Sequence, residues 1–252
     1  MHKKFTDNII SLQSVSSTND YASDLVRKSK PADFTCVIAR EQQKGRGQNN
    51  NSWFSEPEKN LLLSLILKPA FLTPGQQFFI SQMAAVACVD FLKSYGLVAN
   101  IKWPNDIYIG NRKLGGILIE HNVQGNLLEY SIIGIGLNIN QVEFPKEIPN
   151  PTSIKRELGS DFIMESVFQD LLYFLHIEYT ALQQNSTEIN ILNEKYHRLM
   201  YKKGEKQQFV INNSVEELWI RGVDQFGRLQ LKKSNEELQP YCVGELEWII
   251  ES

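Results

Sequence analysis

The 252-residue chain has few cysteines, no long apolar run and no strong excess of basic or acidic residues. Cys36, Cys88 and Cys242 are far apart and form no Cys-x-x-Cys pair, which argues against a disulfide framework or a cysteine zinc site. They fit a reducing cytoplasm. No run approaches the roughly 18–20 apolar residues of a membrane span, and the first eight residues lack a signal-peptide core. A net charge of −3 gives no electrostatic reason to expect nucleic acid or membrane as the main partner.

Hydrophobic periodicity predicts an α+β fold, with strands joined through hairpins and helices in separate blocks. The predicted helices are Asp20–Lys28, Pro74–Tyr95, Asp161–Gln184 and Glu188–Leu199. The predicted strands are Phe34–Arg40, Leu61–Lys68, Ala99–Trp103, Asp106–Ile109, Lys113–His121 and Leu127–Leu137. Three prolines make Phe144–Thr152 irregular. Beyond residue 204, turns predict a small β-barrel of about fifty residues; they lie at Asn212-Asn213, Gln225-Phe226-Gly227 and Ser234-Asn235.

The segment from Lys102 to Glu120 predicts a β-hairpin that carries a cation, a carboxylate and two glycines. In the expected register Asp106 faces Gly115 and Tyr108 faces Lys113, so these four positions share one face. Lys113 and Asp106 are then diagonal neighbours whose side chains can meet. Gly115 leaves space beside the lysine for an anionic ligand, although a surface hairpin with a solvated lysine has the same local pattern.

Two other segments have glycines where a ligand could approach. In Gly45-Arg46-Gly47 the backbone can bend closely around a ligand, and the arginine offers a planar fork for carboxylate or phosphate. A flexible surface loop is the alternative. Strand alternation in Ile132–Asn138 puts Gly134, Gly136 and Asn138 on one face. A flat ring could lie over the bare positions and an amide could read an adenine edge; a strand kept thin for helix packing is the alternative.

The remaining candidates are the consecutive Ser17, Thr18 and Asn19, which could cap a helix or bind a small polar ligand. The four histidines are scattered, and no Gly-x-Ser-x-Gly elbow is present, so the sequence offers no obvious nucleophile. One arginine, one lysine and an adenine-compatible strand instead favour a reaction that proceeds by positioning and charge neutralisation, such as carboxylate activation by ATP.

Four segments in this order resemble bacterial biotin protein ligases. They are Ser17-Thr18-Asn19, Gln42 to Trp53, Lys102 to Glu120 and Gly134 to Asn138. The resemblance covers nearly the whole chain, and its Lys-Trp-Pro-Asn-Asp segment is highly specific. It implies a catalytic domain related to class II aminoacyl-tRNA synthetases over residues 1–200, with a mixed, largely antiparallel sheet. An SH3-like β-barrel is implied over residues 201–252.

The resemblance also implies the reaction and its residues. Biotin and ATP would form biotinyl-5′-AMP, with Mg²⁺ on the phosphates rather than in a protein cage. The biotinyl group would then pass to one lysine of a biotin carboxyl carrier protein. By matching position, Lys113 and Arg46 are the implied catalytic cations. The implied biotin-binding residues are Ser17, Thr18, Asn19, Gln42, Arg46, Gly47, Gln48, Lys113, Gly115 and Gly116. The implied ATP-binding residues are Arg46, Trp53, Lys102, Asn105, Asp106, Lys113 and Asn138.

Two departures from the family pattern are expected to matter. From Gln48 to Asn51 the loop carries amides where relatives carry further basic residues, so its hold on the adenylate should be weaker. About sixteen residues precede Ser17, too few for the DNA-binding domain of repressor-type members, so a short ligase without a nucleic-acid partner is expected. By analogy with the family, edge strands suggest a homodimer. The alternatives are a lipoate ligase or octanoyltransferase of the same fold, and a non-catalytic biotin-binding regulator.

Overall fold

The computed structural model describes residues 7–184, 186–233 and 237–250, which form two β-sheets and five α-helices. The first sheet contains β1 (Ile9–Val15), β2 (Thr35–Gln42), β3 (Asn60–Leu67), β4 (Asn100–Lys102), β5 (Asp106–Ile109), β6 (Arg112–Gln124) and β7 (Leu127–Asn138). The helices are α1 (Thr18–Ser29), α2 (Phe78–Ser94), α3 (Ile154–Leu158), α4 (Met164–Leu182) and α5 (Ser186–Leu199). The second sheet contains β8 (Lys206–Ile211), β9 (Ser214–Val223), β10 (Leu229–Lys232), β11 (Gln239–Tyr241) and β12 (Glu247–Ile249). Within these ranges, no helix has the length and apolar character needed to cross a membrane.

The first sheet has the strand order β1-β2-β3-β7-β6-β5-β4. β1 and β2 run parallel, and the other neighbouring strands run antiparallel. The prediction of a mixed, largely antiparallel sheet is therefore confirmed. β1 is absent from the sequence-based assignment because it is a half-exposed edge strand whose polar residues break the apolar pattern.

Strand β3 is apolar except at Asn60 and Ser64 because both of its faces are covered. Helices α2, α4 and α5 form one large core with the face that carries Leu63 and Leu65. Helix α1 covers the opposite face through a smaller cluster that contains Ala22, Val37 and Ile66. This second layer places the N-terminal end of α1 over β3 and β7.

The predicted hairpin forms, but its register contains a bulge. The Lys113 end pairs as expected, whereas Asp106 pairs with Gly116 and not with Gly115. The cause is one extra residue in β6, Leu114, at the point where the register shifts. The predicted pairing of Asp106 with Gly115 is therefore wrong by one residue.

This bulge exchanges the roles of the two glycines. A Cβ added to Gly115 would lie 2.3 Å from Leu137 Cδ2, so this position faces the core. A Cβ added to Gly116 would lie 3.6 Å from Asp106 Oδ1 and 3.8 Å from Lys113 Cε. Gly116, rather than Gly115, leaves the space beside the lysine.

The second sheet has the order β11-β10-β9-β8-β12 with antiparallel neighbours throughout. Asn212 and Asn213 both have positive φ, as a tight hairpin turn requires. In the next turn Asp224 accepts from the backbone of Phe226, confirming that turn as well. The turn predicted at Ser234-Asn235 lies outside the described residues.

The helices differ from the predicted ones mainly at their ends. A 3₁₀ turn, Pro74–Gln76, precedes α2 and takes the place of its predicted first turn. Helix α3 follows the irregular proline segment and was missed because it has only five residues. It ends at Gly159, whose φ of 76° suits glycine.

Candidate active site

A cleft lies on the α1 face of the first sheet, between the loop after β2 and the hairpin of β5 and β6. Most sequence-predicted site residues line it together: Ser17, Thr18, Asn19, Gln42, Arg46, Gly47, Gln48, Trp53, Lys102, Asn105, Asp106, Lys113 and Gly116. Gly115 and Asn138 do not line it. The lining also contains no cysteine or histidine.

One end of the cleft is a wall of hydrogen-bonded polar groups. Ser17 caps α1, and its Oγ accepts from the backbone of Asp20 at 3.4 Å, which confirms the cap interpretation. The backbone N–H and hydroxyl of Thr18 donate to Gln42 Oε1 at 2.7 and 3.0 Å. Ser64 Oγ lies 2.8 Å from Thr18 Oγ1 and fixes it from below. This polar wall is therefore preorganised by the buried Ser64 and the half-buried Gln42.

Asn19 joins this wall to β6 and β7. Its Nδ2 donates to Glu120 Oε2 at 3.0 Å, and its Oδ1 lies 2.6 Å from Ser64 Oγ. A Cβ added to Gly134 would lie 2.3 Å from Asn19 Oδ1, so the glycine is required for this close approach. The sequence analysis missed Ser64, although a serine inside an otherwise apolar strand was a usable signal.

Arg46 extends from the loop to two carboxylates at this end. Its Nη1 lies 2.5 Å from Asp20 Oδ1 and its Nη2 lies 2.8 Å from Glu120 Oε1. The hydrogen bond with Glu120, supported by Asp20, raises the pKa of the guanidinium, so Arg46 stays charged. One guanidinium against two carboxylates leaves a formal charge of −1 in this group.

The other end of the cleft carries two lysines around one carboxylate. Lys113 Nζ lies 2.7 Å from Asp106 Oδ1, which confirms the contact expected from the hairpin. Lys102 in β4 is the cross-strand neighbour of Asp106 in β5. The group of Lys102, Lys113 and Asp106 therefore has a formal charge of +1. Burial lowers the pKa of Lys102, Asp106 opposes that decrease, and Lys113 adds to it. This end is suited to an anion.

Lys113 is held in place through its backbone. Its N–H donates to Asn150 O at 2.7 Å, and its C=O accepts from Thr152 N at 2.9 Å. Asn138 Nδ2 donates to Thr152 O at 2.9 Å, so Asn138 supports this segment from beneath. Asn138 is buried on the face of β7 that also carries Gly134 and Gly136, and among the described residues its Oδ1 has no hydrogen-bond partner, so its place on the nucleotide side stays a prediction.

The Trp53 ring lies over glycine positions of the face where the sequence analysis expected a flat ring of a ligand. A Cβ added to Gly136 would lie 2.6 Å from Trp53 Cε2, and one added to Gly116 would lie 3.3 Å from Cζ3. The ring also lies 5.8 Å from Lys113 Nζ. The chain's own indole thus shows that this glycine face accepts a planar group.

The loop that carries Arg46 and Trp53 folds back on itself. Gly47 N–H donates to Asn51 O at 2.7 Å, and Trp53 N–H donates to Gly45 O at 2.8 Å. Asn49 adopts a left-handed conformation with φ of 53°, which asparagine tolerates better than most residues.

The side chain of Asn105 is hydrogen-bonded to the hairpin and does not extend freely into the cleft. Its Nδ2 donates to Ile117 O at 2.7 Å, and Ile117 N–H donates back to Asn105 O at 2.9 Å. The residue therefore fixes the connection between β4 and β5, next to Asp106.

The C-terminal sheet contributes part of the lining, which sequence analysis missed. These residues are Val243, Gly244, Leu246 and Trp248. No local pattern marked them, because they reach the cleft only through the packing of β12 and the preceding turn against the first sheet. Across the described ranges, no cluster of three or more histidine, cysteine or acidic side chains could hold a metal ion.

Comparisons with known proteins agree with this arrangement. Residues 11–138 match the biotin/lipoate A/B protein ligase family. The chain is 34% identical over 188 residues to the bifunctional ligase/repressor BirA of Bacillus subtilis, covering 72% of this chain and 57% of that protein. It is 33% identical over 148 residues to the biotin–[acetyl-CoA-carboxylase] ligase of Paracoccus denitrificans, covering 54% of this chain and 58% of that one. The chain therefore spans little more than half the length of these curated relatives.

Among solved structures, the fold is similar to that of the biotin protein ligase from Aquifex aeolicus in complex with biotin and ATP. The TM-score is 0.80 at 22% identity, over 98% of this chain and 100% of that chain. This similarity confirms the predicted fold class, including the small antiparallel sheet at the C-terminus.

Proposed function

Because the chain belongs to the biotin/lipoate A/B protein ligase family, we propose that it is an ATP-dependent biotin protein ligase. It activates biotin to biotinyl-5′-AMP and transfers the biotinyl group to a lysine of a biotin carboxyl carrier protein. The observation that carries this proposal is one cleft that joins the polar wall of Thr18 and Asn19 to the cationic group of Lys113, Lys102 and Asp106.

The polar wall suits the ureido ring of biotin, which carries two N–H donors and one carbonyl acceptor. Ser17, Thr18, Asn19 and Gln42 offer both hydroxyl and amide groups at that end. Gly116 brings no side chain next to Lys113, so a flat group, now the Trp53 ring, can lie against it. These groups keep their positions through hydrogen bonds to one another and can share further hydrogen bonds with a polar ring, which an alkyl chain does not offer.

The cationic group suits the reacting atoms. A carboxylate oxygen of biotin attacks the α-phosphorus of ATP, and pyrophosphate leaves with the electrons of the broken P–O bond. Lys113 and Lys102 reduce the repulsion between carboxylate and triphosphate, which is their main contribution to the rate. Mg²⁺ enters with ATP on its phosphates. The carrier lysine then attacks the carbonyl carbon and AMP leaves.

The remaining assignments complete the proposal. Arg46, Gly47 and Gln48 cover the adenylate from the loop, and Trp53 and Asn105 lie on the nucleotide side. The catalytic domain comprises residues 1–200 and the SH3-like domain residues 201–252, a division supported by the two separate sheets.

The partners and the compartment are proposed on narrower grounds. The free thiols of Cys36 and Cys88 are compatible with the cytoplasm. A homodimer would form along β6 beyond Gly116, where its pairing with β5 ends. Analytical ultracentrifugation measures that state directly. We propose no nucleic-acid partner, because a net charge of −3 gives no electrostatic attraction to a phosphate backbone.

Mass spectrometry of a biotin carboxyl carrier domain, after incubation with biotin, MgATP and the protein, tests the function. One biotinyl group on one lysine is expected, together with biotin-dependent exchange of pyrophosphate into ATP. Exchange with lipoate or octanoate instead would assign the chain to the other branch of its family. Tight biotin binding without exchange would identify a non-catalytic regulator.

A further inference from the structure

Lys102 lies between two aromatic rings that come from different sheets. Its Nζ is 5.6 Å from the centroid of the Tyr108 ring in β5 and 5.1 Å from that of Trp248 in β12. An ammonium over an aromatic face is stabilised by the negative charge density of the ring. The last strand of the C-terminal sheet therefore supplies one half of the environment of a lysine in the cleft.

The position of Trp248 is fixed by the C-terminal sheet itself. It pairs with Phe209 across β12 and β8, and the two ring centroids are 5.3 Å apart. Tyr201 contacts its ring at a centroid distance of 5.6 Å. Within the described part of the chain, Trp248 Nε1 is buried without a hydrogen-bond partner. Ring faces, and not a hydrogen bond, thus determine where the indole lies.

Lys102 needs such support because its surroundings oppose its charge. Burial and the neighbouring Lys113 both lower its pKa, and Asp106, which also pairs with Lys113, opposes them only in part. The faces of Tyr108 and Trp248 favour the charged ammonium without neutralising it. A second carboxylate would also have stabilised the charge, but it would have repelled an anionic substrate.

We propose that Trp248 is a positioning residue that holds the charged Lys102 ammonium at the anion-binding end of the cleft, so that the C-terminal sheet completes the phosphate-binding group. The inference rests on the proposed ligase function. It predicts a contribution to nucleotide binding and to adenylate formation, and none to the recognition of the biotin rings at the opposite wall.

The test compares Trp248→Leu and Trp248→Phe with Trp219→Leu in the full chain. Trp219 is a matched control because it also lies in the second sheet and faces a cation, Arg221, at 5.6 Å, but does not line the cleft. Biotin-dependent exchange of pyrophosphate into ATP gives KM for ATP and for biotin separately. We expect Trp248→Leu to raise KM for ATP about tenfold and Trp248→Phe about threefold, with KM for biotin unchanged and the control like wild type.

A double-mutant cycle with Lys102→Met separates positioning from packing. If Trp248 acts through the ammonium, its replacement in the Lys102→Met protein changes KM for ATP less than about twofold. An equal effect with and without the lysine overturns the inference, and so does a Trp248→Phe protein that matches wild type. Thermal unfolding of each variant identifies loss of packing, and Trp248→Phe keeps a ring in place if the leucine variant fails to fold. Absence of exchange in the wild-type protein would instead contradict the proposed function.

Discussion

The two ends of the cleft use charge in opposite ways. At the loop end, Arg46 is surrounded by Asp20 and Glu120, and the group has a formal charge of −1. At the hairpin end, Lys113 forms an ion pair with Asp106 and Lys102 is the cross-strand neighbour of Asp106, so the formal charge of the three is +1. A substrate anion is therefore drawn to the hairpin end, while Arg46 is already occupied by carboxylates of the protein. The difference suggests that lysines stabilise the reacting charges and that the arginine mainly holds the loop closed.

Of the substitutions that test the difference between the two ends, replacing Lys113 should have the largest effect, on the rate of adenylate formation. Lys113→Met removes the cation that faces the reacting atoms, so biotin-dependent adenylate formation should fall about 10²- to 10³-fold. Single-turnover measurement of AMP-linked product gives this rate. The affinity for biotin, measured by calorimetry, should change far less, because the polar wall is untouched. Normal biotinylation of the carrier domain by this variant would remove the catalytic assignment.

Damage to the polar wall should produce the converse result. A methyl group at Gly134 would meet Asn19 Oδ1, so Gly134→Ala should weaken biotin binding about 10- to 100-fold. ATP binding at the other end should persist. Gly75→Ala is the matched control, because a Cβ there has nothing within 4 Å. Equal losses of ATP and biotin affinity would show that the two ends are not separate.

Freeing Arg46 from its carboxylates tests the role of the arginine. Glu120→Gln and Asp20→Asn should each speed dissociation of biotinyl-5′-AMP about two- to fivefold, because exposed ion pairs contribute little individually. Stopped-flow fluorescence measures that rate. Asp24→Asn, which breaks an ion pair elsewhere on α1, serves as the control. Faster adenylate formation in the Glu120 or Asp20 variants would instead mean that these carboxylates restrain a catalytic arginine.

The smallest effect is expected from adding a cation to the loop end. Gln48→Arg adds a basic side chain to the amide-rich loop, and should slow adenylate dissociation about twofold, because salt screens the attraction of an exposed charge. The same dissociation assay applies. An unchanged rate would contradict the expectation that the amide-rich loop makes this protein release its intermediate more readily.

The sequence predicted most of the lining because those residues lie in short local motifs. The contact between Lys113 and Asp106 followed from the alternation of a hairpin alone. The bulge at Leu114 could not be foreseen, since one extra residue exchanges the faces of two adjacent glycines without changing their identity. Trp248 was beyond local reasoning because its position depends on packing between two sheets.

The backbone pairing of Lys113 with residues 150–152 also marks where the chain can be extended. Lys146 and Glu147 are exposed in the connection that leads into the pairing segment. Lengthening a surface connection costs little free energy, because the entropy of closing a loop grows only slowly with its length. A reporter domain fused between these two residues would therefore leave the lysine anchored and the cleft unaltered.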